Sequence, residues 1–236
     1  MATQAFNALT GVSVGSNANV VIDANSNAFL ANVSANFANF SGNVSTTTLN
    51  TGLVAGPEGS GYVANSSAGT STIAYASQYI FGTSNFTIEF WIKPKSFAGG
   101  TLLLTGPAID FVYQTDGTIG LDISSNGGSW DISSQSLTCT TTIGTWSHIA
   151  LVRNGSVFTL YKDGISTGTV TSASGIYNPA SIIYLNTGVN AYISNYRIVI
   201  GTAVYTTNFT VPNTTLTSTQ SANVNGNPSA AITGTQ

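Results

Sequence analysis

Charge is what this chain has least of. Asp, Glu, Lys and Arg together make up 6% of its 236 residues, against roughly a quarter in ordinary soluble domains. Asn, Ser, Thr, Gly and Ala fill the polar positions instead. A surface of uncharged polar groups loses little hydration free energy when a neighbour covers it, so the composition suits a subunit of an assembly better than a free cytosolic enzyme. The five cations, Lys93, Lys95, Arg153, Lys162 and Arg197, form no run, and the formal net charge is −3. Nucleic acid is therefore not an expected partner, because a surface that tracks phosphates needs clustered cations. Cys139 stands alone, so no internal disulfide is available, and a buried or half-buried thiol in a strand is expected. No stretch reaches the ~18 continuous apolar residues of a membrane span, and the start, MATQAFNALTG, lacks the basic and apolar regions of a secretory signal. Membrane insertion is not expected.

Histidine and glutamate are nearly as scarce. His148 is the sole imidazole. It would have to serve any Ser-His-Asp triad, yet it falls in mid-strand, and one His with one Cys makes no zinc ligand set. A structural histidine is the expectation. The glutamates are Glu58 and Glu89, and Glu89 is expected to pair with Lys93 or another cation on the same strand face. Catalytic and cofactor-binding residues are accordingly expected to be none.

What the chain does carry is a succession of short strand patterns. The strongest is WSHIALVRNGSVFTLYKDG, residues 146 to 164. Asn154-Gly155 predicts a two-residue type I′ hairpin, because Asn and Gly tolerate positive φ. That loop would place Leu151 opposite Phe158, Ile149 opposite Leu160 and His148 opposite Tyr161, and would gather Ile149, Leu151, Phe158 and Leu160 on one core face. FTIEFWIK (86 to 93) alternates in the same way and is closed by Pro94. Further strands are expected at 72–75, 101–105, 109–114, 118–123, 129–132, 165–171, 182–185 and 192–200, with turns at Asp116-Gly117 and Asp163-Gly164. Many short strands with regular turn signals and no amphipathic helical stretch predict an all-β antiparallel sandwich or barrel.

Residues 1–51 differ from the rest. Phe29, Val33, Phe37, Phe40 and Val44 sit among Asn and Ser with a heptad-like spacing, but the helix propensities are poor and the pattern is short. The expectation is an N-terminal arm, extended or β-paired, whose apolar residues contact partner chains because they are too few to close a core. GLVAGPEGSG at 52–61 reads as a linker, 62–212 as the folded domain and 213–236 as an extended tail.

Three ordered blocks, FTIEFWIKP (86–94), GTWSHIALVRNGSVFTLYKDG (144–164) and AYISNYRIVIGTAVYTTNFTVP (191–212), resemble the laminin-G-like, concanavalin A-like jelly-roll domains. The third block is similar to the version found in bacteriophage virion structural proteins. The resemblance implies an antiparallel jelly-roll sandwich with an extended N-terminal arm, and a non-enzymatic virion protein, a capsid decoration or fibre subunit. Such a subunit would meet other virion proteins through the arm, as a homo-oligomer. The alternative it implies is a carbohydrate-binding adhesion module for host surface glycans.

A retaining glycosidase needs two carboxylates about 5 Å apart, and no carboxylate lies two, four or five residues beyond Glu89. For sugar binding, Trp130 with Asp131 and Tyr177 with Asn178 are the candidates, since an aromatic ring beside a carboxylate or amide can stack on and bond a pyranose. No cofactor is expected. Calcium remains open for Asp110, Asp122, Asp131, Asn126 and Asn178, which form no recognised loop.

Overall fold

The computed structural model describes residues 56–57, 64–66, 70–223 and 228–233. The expected arm, with Phe29, Val33, Phe37, Phe40 and Val44, lies outside the described residues, as does nearly all of the expected linker.

Two antiparallel six-stranded sheets pack face to face, as the sequence predicts. The strands are β1 (Ala64–Ser66), β2 (Ser71–Ile73), β3 (Phe86–Pro94), β4 (Gly100–Leu104), β5 (Ile109–Tyr113), β6 (Thr118–Ile123), β7 (Ser133–Thr140), β8 (Ser147–Asn154), β9 (Val157–Lys162), β10 (Ile165–Thr171), β11 (Ile183–Thr187) and β12 (Ala191–Ile200). Sheet A runs β1-β12-β3-β8-β9-β10 and sheet B runs β2-β11-β4-β5-β6-β7. A 3-10 turn at Ser77–Tyr79 is the helical content among the described residues.

The core lies between the sheets. Phe86, Ile88, Phe90 and Ile92 of β3 meet Ile149 and Leu151 of β8 and Phe158 and Leu160 of β9, and sheet B answers with Leu103, Phe111, Leu121 and Leu185. Phe90 and Phe111 touch edge to face across the layers at 5.7 Å. Each such fully buried side chain contributes about 1.5–3 kcal/mol.

The register of the 146–164 hairpin differs from expectation. Asn154 pairs with Val157, Leu151 with Leu160 and Ala150 with Tyr161, so the loop is Gly155-Ser156. Gly155 has φ 61, and glycine at the first central position is the signature of a type II′ turn. The displacement is two residues, an even number, so every side chain keeps its predicted face. Residues 129–132, expected as a strand, form part of a loop, and the strand is Ser133–Thr140 instead. Its pattern is weak because it is an edge strand whose buried apolar positions are just Leu137 and Cys139. Cys139 is buried in that strand, and burial pushes its thiol up to about 12.

Both faces of sheet A are covered. Its outer face carries Ala150, Val152, Tyr161 and Val199, and the chain after β12 lays Ala203, Val204, Tyr205 and Phe209 on them. This strap is tied down by Val204 N–H donating to Thr87 Oγ1 (2.9 Å) and Phe209 N–H donating to Gly164 O (2.9 Å). The residues beyond Pro212 follow it back onto the domain, where Ala230 N–H donates to Val204 O and Ile232 is buried.

Under the strap lies a buried polar cluster. Glu89 pairs with Arg197 of β12, not with Lys93: Arg197 Nη2 and Nε stand 2.6 and 2.7 Å from Glu89 Oε1. His148 Nε2 lies 3.1 Å and the Tyr205 hydroxyl 3.0 Å from Glu89 Oε2. Burial opposes ionisation of Glu89, but the His148 hydrogen bond and the Arg197 charge outweigh it and hold the carboxyl below its ordinary value. Burial, with the Glu89 charge, pushes the Tyr205 phenol far upward.

Candidate functional site

The cluster around His148 has the residue types of a catalytic constellation, but Glu89 and His148 are 0% exposed. Trp91 and Phe209 wall the imidazole edge-on, and Phe209 stacks on Tyr205 at 3.6 Å. The recess above it, about 160 Å³, reaches Arg197. There Arg197 Nη1 already donates to Thr217 O and Gln220 Oε1. His148 is thus a structural histidine holding strap to sheet.

An open site is built at the end of sheet B where loops 105–108, 124–132 and 172–182 meet. Loop 124–132 is an internally bonded turn. Asp131 accepts from Ser125 N (2.8 Å) and Ser125 Oγ (2.5 Å), and Ser124 Oγ accepts from Gly127 N (2.9 Å). Asn126 Oδ1 accepts from Gly128 N and Ser129 N. The Ser125 bonds hold Asp131 below the ordinary carboxylate range. Its oxygens are thereby committed to the loop.

Tyr177 joins the second loop to the first. Its N–H donates to Ser124 O (3.0 Å), and its ring lies so close over Gly127 that a Cβ there would collide with it. The two sequence-predicted pairs, some forty-five positions apart in the chain, therefore belong to one rim. They are not equivalent. Tyr177 and Asn178 line a shallow recess with Tyr75, Tyr79, Thr105 and Ser181, and neither Trp130 nor Asp131 does. Trp130 is half-buried. Tyr75 and Tyr177 are 40% and 39% exposed, while Ser181 Oγ is buried with no hydrogen-bond partner. Asn178 Oδ1 accepts from Ala180 N (3.1 Å), which fixes the amide and leaves its Nδ2 as a donor.

The sequence reading did not single out Tyr75, Tyr79 or Ser181. Their one signal was the density of tyrosine and serine on both sides of the weak β2 pattern and before β11, and neither stretch has a chemical motif.

A carboxylate pair also emerges on the outer face of sheet B. Asp110 and Asp122 are direct cross-strand partners on β5 and β6. Asp110 Oδ1 and Asp122 Oδ1 are buried without hydrogen-bond partners, and Gln135 Nε2 reaches Asp122 Oδ2 at 3.4 Å. Burial, then the Asp122 charge, raises Asp110 to about 6. Among the described residues no three His, Cys, Asp or Glu side chains converge as metal ligands.

A family model for the laminin-G-type concanavalin A-like lectin/glucanases superfamily matches residues 59–199. The chain belongs to that superfamily. Solved structures similar to this concanavalin A-like chain include domain 4 of AbnA, an extracellular arabinanase from Geobacillus stearothermophilus, in complex with arabinotriose. That match has 15% identity and TM-score 0.47, and covers 63% of this chain and 74% of that one. A putative carbohydrate binding protein from Bacteroides ovatus shows 16% identity and TM-score 0.46, covering 58% and 42%. The Botulinum neurotoxin serotype D binding domain shows 12% and 0.44, covering 60% and 39%. The matched region is thus less than half of the latter two chains. None of the curated proteins compared matches this chain.

Proposed function

We propose that this chain is a non-enzymatic display protein whose jelly roll binds carbohydrate at the rim of sheet B. The observation that carries the reading is the recess between Tyr75 and Tyr177, with the unpartnered Ser181 hydroxyl and the fixed Asn178 amide in its lining. Exposed tyrosine rings offer faces on which a sugar ring stacks, and buried polar atoms without partners favour a ligand rich in hydroxyl groups.

Binding without hydrolysis is supported by the packing of the carboxylate pair. Asp122 is 6% exposed, whereas a glycosidase must seat the scissile bond between its two acids. The charge-poor composition supports display on an assembly. We extend this to a virion location, with the arm bound to other virion proteins and to copies of itself, on the strength of the resemblance of block 191–212.

A glycan array probed with the full chain, followed by calorimetry on Tyr177→Ala, tests the binding. At least a tenfold loss of affinity with an unchanged melting temperature is expected. An array without signal, or a Tyr177→Ala variant that binds as the parent does, refutes the site.

A further inference from the structure

The cations of this protein are distributed in a way that bears on its ligand. All five lie among the described residues. Lys93 and Lys95 stand at the end of β3 that is remote from the recess, beside Tyr192 and Asn190. Lys162 is at that same end and donates to Asp163, and Arg197 is under the strap with Glu89. Arg153 alone belongs to the rim end. It is 1% exposed, and its Nε, Nη1 and Nη2 donate to Gly155 O, Gly82 O and Ser174 O at 2.9, 2.8 and 2.9 Å.

The strands of sheet B contain no Lys or Arg at all. What they present near the recess is acidic. Thr105, in the recess, accepts from Ile109 N–H one residue before Asp110. Ser124, which carries Tyr177, lies two residues after Asp122. Pairing places Tyr184, Leu104, Asp110 and Asp122 in one row across the outer face. Tyr184 is 38% exposed, Asp122 is 94% buried, being 6% exposed, and both carboxylates hold an oxygen without a partner.

Resting on the carbohydrate reading above, we infer that the ligand is an uncharged or amine-bearing sugar and that acidic glycans, whether sialylated, uronate-containing or sulfated, are rejected. The strongest contacts to a carboxylate or sulfate come from Arg or Lys donors, and the rim has none to give. Asp110 pairs with Leu104, the neighbour of the recess residue Thr105, and with Asp122 beyond it, so the side of the recess toward β5 carries negative charge that repels an acidic group. A hydroxyl group meets no such repulsion, an ammonium group is attracted by the same charge, and the recess offers either of them the unpartnered Ser181 hydroxyl.

The test is an array of matched pairs at pH 7.4 and ~0.15 M salt, where surface charges are screened beyond about 8 Å. Suitable pairs are N-acetyllactosamine against its sialylated and its sulfated forms, and chitosan oligomers, as the amine-bearing arm, against uronate oligomers of the same length. The full chain is expected to bind the uncharged or amine-bearing member at least tenfold more tightly than its acidic counterpart. Asp110→Asn is expected to narrow that ratio severalfold, as is a drop to pH 5, which protonates Asp110. An acidic glycan bound as tightly as its neutral match overturns the inference while leaving carbohydrate binding intact. Silence across every pair overturns the carbohydrate reading itself, and the inference with it.

Discussion

Replacing Asp110 with Asn is expected to stabilise the protein at neutral pH and to do nothing comparable in acid. Folding moves this carboxyl from 3.8 to about 6. At ~1.4 kcal/mol per unit, that difference corresponds to roughly 3 kcal/mol, and solvent screening on its partly open side reduces the expectation to about 2 kcal/mol. The sign follows from proton counting. Between pH 4 and 6 the folded state holds more proton than the unfolded chain, so the contribution of this site is fully present below pH 4 and is lost as pH rises through 6. The stability difference between Asp110→Asn and the parent should therefore be small and constant below pH 4, grow through pH 5 and 6, and level off above 7. For a domain of this size, about 2 kcal/mol moves the melting temperature by ~4–8 °C. Urea and thermal denaturation at several pH values, with chelator present so that no divalent cation neutralises the pair, give the measurement. A difference that does not vary with pH, or an Asn variant less stable than the parent at pH 7.5, refutes the account of the pair.

Glu89→Gln is expected to destabilise by about 3–5 kcal/mol in urea, because Arg197 is left charged and buried. The same variant should lose the part of the acid-unfolding limb that arises below pH 4.5, where the parent's Glu89, held low when folded, takes up its proton. A cost under ~1 kcal/mol contradicts this. Gly164→Ala should cost more than Gly155→Ala, although both glycines have positive φ, 78 and 61. A Cβ at 164 meets the Phe209 carbonyl of the strap, whereas at 155 it meets open space. Gly155→Ala is expected near ~1 kcal/mol, and equal losses would show that the strap does not press on the Asp163-Gly164 turn.

The hairpin turns show where sequence reading held and where it slipped. Asp163-Gly164 forms a two-residue loop between Lys162 and Ile165 with positive φ at both positions, as its dipeptide predicts. At Asn154-Gly155 the same logic misplaced the loop by one residue and the pairing by two, because a glycine can also open a type II′ turn. At Asp116-Gly117 the loop is longer. Gln114 and Thr118 close it, with Gly117 at φ 86, and this is what sets Asp110 opposite Asp122. A two-residue loop there would have put Ile123 opposite Asp110, so no acidic pair was legible. The sugar-site candidates were half legible. Tyr177 and Asn178 line the recess, while Asp131 spends its carboxylate on Ser124 and Ser125.

From the sequence alone came the fold class, the strand faces and the scatter of the five cations. These depend on local alternation, on turn residues and on composition, which need no partner to be read. The tertiary structure decided the rest. It turned block 191–212 into a strand and a strap, gave Glu89 its Arg197 and His148 partners, and brought Tyr75 to Tyr177 and Asp110 to Asp122. Each of these depends on which strands become neighbours and in what register, and that outcome is settled by packing between residues remote along the chain.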